Sequence, residues 1–432
     1  MNPIARFVRR LACAALLLAA STAVSGPLRP PLLDSSHLAG PSIVPPAGRT
    51  NAGDAPRIGI ITMLPGEIFW ERFGHDALVV FDPASGQATS YNFGFFDPGE
   101  EDFIGRFVRG DMRYRLVALP FEEDLAHYRK AGRGVGLQWL DLDEASAREL
   151  AAALAENARP ENAQYRYDYF LDNCSTRVRD AIDRTIDGGL RRQIEGRSHG
   201  STYRSEALRL ASPAPWMWLG FDVGLGPAAD EPQPLWAEAF VPMRLSAALR
   251  ETRLADGRPL VTEERTLLPH MLQPEPQEAP LRWWRWAACG LVLGLAAATL
   301  GRRHRRWLAA LALPFWWLCG ALGALMLFIW FGTEHRFGWA NQNLLVMSPL
   351  CWWLLLGGWR ELRGRDGGRW FRRALALVAI GTVLGLFFHW LQAVPQQNGH
   401  WIVLLLPLHA GLWWAFSRRT VETGTAEGPA SS

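Results

Sequence analysis

The chain is short of cysteine: it has five in 432 residues, and four of them, Cys13, Cys289, Cys319 and Cys351, lie in apolar stretches. That leaves Cys174 without a partner for an intrachain disulfide. The formal net charge is only +3, and its excess arginine is explained by membrane topology, so nothing supports nucleic-acid binding. His, Cys, Asp and Glu nowhere cluster at metal-ligand spacing, so no metal ion or other cofactor is expected. Internal repeats are absent as well, which excludes solenoid and propeller architectures.

Long hydrophobic runs, by contrast, are plentiful. Arg6, Arg9 and Arg10 precede an apolar run over 11–20, and Ala23-Val-Ser25 offers a signal-peptidase site, so residues 1–25 read as a signal peptide. An uncleaved signal anchor is the alternative, and either one exports the chain beyond residue 25. Five further apolar segments, at about 283–300, 307–331, 344–359, 374–394 and 401–416, each approach the length of a bilayer-spanning helix. The loops 301–306 and 360–373, with Arg418 and Arg419, carry twelve arginines, whereas 332–343 carries one and 395–400 none. This alternation predicts five transmembrane helices over 282–417, with the arginine-rich loops and a tail over 418–432 in the cytoplasm. The chain is then a multi-pass protein of the bacterial cytoplasmic (inner) membrane, with its N-terminal domain in the periplasm or extracytoplasmic space. Most of the 21 tryptophans fall near segment ends and need no ligand to explain them. His389 and His409 lie inside apolar spans, where an ionisable group is costly.

Between signal and membrane, 26–56 is rich in Pro, Ser and Gly and reads as a linker. Residues 57–222 are long enough for one compact domain, and the proline-rich 223–281 is expected to pack back onto it. Apolar and β-branched runs predict strands over 58–63, 75–81, 88–93, 112–119 and 135–142. A helix is expected over 121–130, and another runs from an N-cap at Asp143 to 158, where Pro160 stops it. The aromatic stretch 165–170 reads as extended or irregular. Helix resumes at about Asn173, with Val178, Ala181, Ile182 and Ile186 on one face.

Cys174 thus opens a helix, where free backbone N–H groups favour a thiolate and stabilise an oxyanion. A small buried cysteine would suit the same place. A thiol nucleophile needs a base, and the exported region has five histidines: His37 in the linker, His127 on a solvated helix face, His199 in a Gly/Ser loop, His270 in the proline-rich tail, and His75 opening a strand after Gly74. His75 is the candidate base, although a strand histidine bonded to a neighbouring carbonyl fits the pattern too. Asn92, on the partner strand, is the candidate for orienting the imidazole, ahead of Tyr91 and Asp76.

The order of these residues, with histidine on an early strand, a polar residue on the next and cysteine at a late helix start, resembles a circularly permuted papain-like fold, as in lecithin:retinol acyltransferase-like enzymes and permuted NlpC-type hydrolases. Four stretches, Phe73-Gly-His75-Asp, Tyr91-Asn-Phe-Gly94, the block 165–180 and Glu334-His335 with Asn341-Gln-Asn-Leu-Leu, look more specifically like the Lnb-type lipoprotein intramolecular transacylase family. That resemblance covers about 57–250 and, more loosely, the membrane part. It implies an α+β domain of permuted papain-like type followed by a five-span helical bundle. It also implies a thiol acyltransferase at the outer face of the membrane, which moves an acyl chain from a lipid or lipoprotein ester to an amine through a Cys174 thioester. In the loop 332–343, His335, Asn341 and Asn343 become candidates for substrate binding. A periplasmic cysteine hydrolase, whether peptidase, amidase or lipid deacylase, would use the same dyad, and a non-catalytic binding or sensor domain would not need the thiol. The oligomeric state is not legible.

Overall fold

A computed structural model of the protein describes Ile43, residues 55–278 and residues 281–417. The signal segment, most of the linker and the tail 418–432 lie outside the described residues. Strands β1 (Arg57–Met63), β2 (His75–Asp82) and β3 (Gln87–Phe95) are followed by helix α1 (Phe103–Arg109), strand β4 (Arg113–Pro120), helix α2 (Phe121–Lys130) and strand β5 (Val135–Leu140). Then come helix α3 (Glu144–Asn157), strand β6 (Gln164–Arg166), helix α4 (Cys174–Thr185), helices α5 (Tyr203–Ala211), α6 (Pro215–Gly224) and α7 (Pro242–Glu251), and strand β7 (Val261–Leu268). The strands form one antiparallel sheet in the order β6-β4-β3-β2-β1-β5-β7.

Period-two alternation gives this sheet two apolar faces. Ile58, Ile60 and Leu78 point to one side, where they meet Leu150 and Leu154 of α3 and Val178 and Ile182 of α4. Ile61, Met63 and Val79 point to the other, against Phe121, Leu125 and Tyr128 of α2. The strands and helices anticipated between 58 and 158 fall within two residues of those observed. Residues 223–278 complete the same body: α7 adds Leu245 and Leu249 to the core, and β7 pairs with β5.

The C-terminal region is helical, and four of its helices are long and apolar enough to cross a membrane: α8 (Trp283–Arg303), α9 (Arg305–Gly332), α11 (Arg369–Leu391) and α12 (Gly399–Ser417), with α10 (Leu354–Leu362) between the second and third. The apolar segment 344–359 differs from expectation. It is not a continuous helix but two 3-10 turns, Gln342–Leu345 and Pro349–Trp353, that lead into the nine-residue α10. Pro349 has no N–H to continue an α-ladder. A broken helix leaves carbonyls that lipid cannot satisfy, and this accounts for the buried His409, whose Nε2 lies 3.1 Å from the Val346 carbonyl oxygen.

Polar side chains seal the seam between sheet domain and bundle. Buried Arg204 donates to Asp230 and to the carbonyls of Asp222 and Leu225, each at 2.7 Å. The Asp222 carboxylate accepts from Trp401 Nε1 at 2.7 Å and lies 2.7 Å from His400 Nε2. At the opposite end of the bundle, Arg305 pairs with Glu361 at 2.8 Å and tops the last turn of α12.

Candidate functional site

The site forms at the rim of the sheet where β2 begins and β3 ends. Asn173 caps α4: its Oδ1 accepts from Thr176 N–H at 2.9 Å, while its Nδ2 donates to the carbonyls of Tyr169 and Phe240. Cys174 is therefore the first helical residue, with its thiol half-buried and free. Ser175 pins the same turn: its Oγ lies 2.8 Å from Asp76 Oδ2 and 2.7 Å from the Ala239 carbonyl oxygen. The two glycines nearby have conformational reasons. Gly74, immediately before His75, has φ +79° and no room for a side chain against the Met63 carbonyl, and Gly94 has φ +93° and backs onto Cys174.

Successive residues of β2 serve the two faces. His75 turns toward α2, and its Nε2 lies 3.0 Å from Asn92 Oδ1. Asn92 Nδ2 in turn donates to Asp124 Oδ2 at 3.0 Å. Because Asp124 takes the amide NH2, the Asn92 oxygen faces the imidazole, so Nε2 carries the proton and Nδ1 is the basic nitrogen. Asp76 points the other way, to Thr62 and Ser175. It does not orient the imidazole. Its backbone N–H, with those of Ser175 and Cys174, favours the thiolate form of Cys174. A single peptide link thus separates the residue that carries the imidazole from one that acts on the thiol. Of the other exported histidines that the structure describes, His127 is exposed, His199 pairs with Glu238 and His270 accepts from Gly134 N–H.

Burial governs the electrostatics here. It pushes the Cys174 thiol up to about 12, helped by the Asp76 carboxylate and opposed by the three backbone donors. Burial also lowers His75 to about 4; the Arg133 guanidinium adds to this, while Asn92 and Asp124 oppose it. At neutral pH both the thiol and the imidazole are neutral. Asp76 is raised from 3.8 to about 7 by burial, against the hydroxyls of Thr62 and Ser175.

The raised Asp76 carboxyl makes the fold sensitive to pH. Between pH 3.8 and about 7 the unfolded chain has lost a proton that the folded protein still binds, so this group weakens the fold as pH rises through that window. Asp76→Asn is expected to relieve up to about 4 kcal/mol at pH 8 and almost nothing at pH 4. Melting temperatures of wild type and variant across that range check this, and an advantage equal at both ends would refute the titration account.

Arg177 and Arg179, which flank the thiol, are engaged in structure. Arg177 forms a bidentate pair with Asp172 and lies over the Tyr165 ring, and Arg179 pairs with Asp180 and covers Trp236. The three residues expected to meet substrate have different duties. Asn341 Nδ2 donates to the carbonyls of Val223, Gly224 and Leu225 at 2.8, 3.1 and 3.1 Å, and Asn343 Nδ2 to Val223 at 3.1 Å. Both amides are buried and satisfy orphan carbonyls at the end of α6. His335 lies in a strap across the seam, with Nδ1 2.9 Å from Tyr169 Oη and Nε2 3.0 Å from the Phe107 carbonyl. Its neighbours hold the same stretch: Glu334 pairs with Arg166, Arg336 with Asp168, and Phe337 packs edge-on against Phe170. The polar loop thus reaches the site indirectly, by gripping the segment that leads to Cys174.

Sequence reasoning did not single out Asp124, Tyr128 or Arg133. For Asp124 a signal existed, since it occupies a core position of α2 among Phe121, Leu125 and Tyr128. Arg133 had none, because a turn arginine is indistinguishable from a solvated one until its burial is known.

Fold and site together define an integral membrane protein whose extramembranous α/β domain carries a free cysteine at a helix start and a histidine bonded to an asparagine on the adjoining strands. Residues 47–205 match the family model for the Lnb N-terminal periplasmic domain, and residues 282–418 match that for the Lnb transmembrane domain. The chain belongs to the Lnb-type family. No curated protein and no solved structure matches it.

Proposed function

We propose that this protein is a thiol acyltransferase of lipoprotein processing, with a permuted papain-like catalytic domain at the outer face of the cytoplasmic membrane. The observation that carries this reading is the relay Asp124–Asn92–His75 at the rim of the sheet where Cys174 opens α4. His75 Nδ1 takes the thiol proton as sulfur attacks the ester carbonyl, and the carbonyl π pair moves to oxygen. Collapse expels the glyceryl alkoxide, which takes the proton back from the imidazolium, and leaves a thioester. An amine then attacks the thioester, forming the amide and returning the thiol.

A lipid donor suits the surroundings. The loop that leads to His75 exposes Ile68, Phe69 and Trp70, and Phe69 stacks on exposed Trp216 of α6, the helix that runs into the membrane seam. Exposed apolar clusters of this kind mark contact with lipid or partner surfaces. The broken segment 342–362 supports a fifth crossing: it leaves the seam at Asn343 and ends at Glu361 beside Arg305. Five crossings put the arginine-rich loops on the cytoplasmic side together with the C-terminus.

Mass spectrometry of lipoprotein N-termini tests the function. Cells with wild-type protein are expected to carry N-acylated, lyso-form lipoproteins that disappear in cells with Cys174→Ala. If the lipid pattern is unchanged, lipoprotein transacylation is wrong. If the acyl chain is released to water from a Cys174 thioester and never reaches an amine, the protein is a hydrolase.

A further inference from the structure

The turn between α2 and β5 places an arginine deep in the catalytic rim. Arg133 is 3% exposed. Its Nε donates to the Leu64 carbonyl at 2.9 Å, its guanidinium lies 5.1 Å over the Tyr128 ring, and Nη1 is 3.7 Å from Glu71. Nη2 is buried and has no hydrogen-bond partner among the described residues. Met63 locates the group, since it pairs with His75 across one side of β1 and with Val135 across the other. Leu64 follows Met63 and Arg133 comes two residues before Val135, so the guanidinium stands one strand from His75 at the same end of the sheet. It interacts electrostatically with both His75 and Cys174.

We propose that Arg133 is a catalytic residue, whose Nη2 N–H donates to the carbonyl oxygen of the acyl group as attack by Cys174 turns that oxygen into an oxyanion. This rests on the reading of Cys174 as nucleophile. A buried N–H left bare costs free energy, and such a cost is retained where the group is used during reaction. Glu71 pairs with the Nη1 side of the guanidinium at 3.7 Å and leaves Nη2 free to meet developing negative charge. Bond making and breaking are unchanged: the hydrogen bond strengthens as the π pair moves to oxygen and relaxes when the alkoxide leaves.

Two reactions of the full-length, detergent-solubilised protein separate this role from its rivals. Acylation of Cys174 by a p-nitrophenyl acyl ester passes through an oxyanion, whereas alkylation by iodoacetamide does not. Arg133→Met is expected to slow acylation by about 10²-fold, the loss typical of one oxyanion donor, and to leave alkylation within about threefold. Arg133→Lys, which keeps the charge and spares the fold, is expected to lose acylation selectively as well, since its ammonium lacks the fork that holds both Leu64 and the acyl oxygen. If both reactions slow together, or neither slows, in whichever variant folds, the proposal is overturned. A wild-type protein that is alkylated but never acylated at Cys174 would instead remove the nucleophile reading itself.

Discussion

Replacing His75 by alanine in the full-length protein is expected to slow acylation of Cys174 by about 10³-fold at pH 7, the usual loss when a positioned general base is removed. With the thiol held at about 12, roughly one sulfur in 10⁵ would ionise unaided at pH 7. Attack therefore depends on a base that moves the proton during the reaction. The imidazole is suited to this because burial and Arg133 hold it near 4: it is neutral across the physiological range and loses its basic form only in acid. Wild-type single-turnover rates are expected to stay flat from about pH 5 to 8 and to fall on the acid side near pH 4, whereas an unperturbed imidazole would place that limb at 6.5. His75→Ala should abolish the limb together with the rate. Asn92→Ala should keep the limb, move it further into acid because a bond favouring the cation is lost, and reduce the rate less. If His75→Ala stays within about tenfold of wild type, another group takes the proton.

The parts of this site that are legible in the sequence are those marked by punctuation. Gly74 before a strand, a turn at 82–86 and a polar pair before a helix locate His75, Asn92 and Cys174 on three successive features, and the structure draws two of them to 3.0 Å. What stays hidden is whatever depends on a third element crossing over. Arg133 reads as one more turn arginine until its burial is seen, and β7 reads as polar because an edge strand alternates along its length. The apolar segment 344–359 misleads in the opposite direction: its hydropathy suits a span, but Pro349 and the 3-10 turns around it show that apolar composition and helical continuity are separate properties. The polar residues at 334–343 are conspicuous in the sequence for a physical reason, since they answer orphan carbonyls and charges across the seam, and only coordinates distinguish that from contact with a ligand.

That seam gives the second large effect. Combined replacement of Glu334, His335 and Arg336 by alanine is expected to lower kcat by about 10²-fold with little change in KM, because misplacement of a reacting group by about 1 Å costs that much. The three side chains grip Arg166, Tyr169 and Asp168, and the Tyr169 carbonyl is one of two that hold the Asn173 amide in place to cap α4. The ion pairs involved are largely exposed, with side chains 60 and 58% accessible for Arg166 and Glu334, so they add little to stability. The variant should therefore fold, melt close to wild type and still alkylate with iodoacetamide, and yet transfer acyl groups slowly. A fall in both the rate and the melting temperature would make the strap a structural brace. An unchanged rate would mean that α4 is placed by Ser175 and Phe240 alone, and that the membrane bundle anchors the catalytic domain without positioning its sulfur.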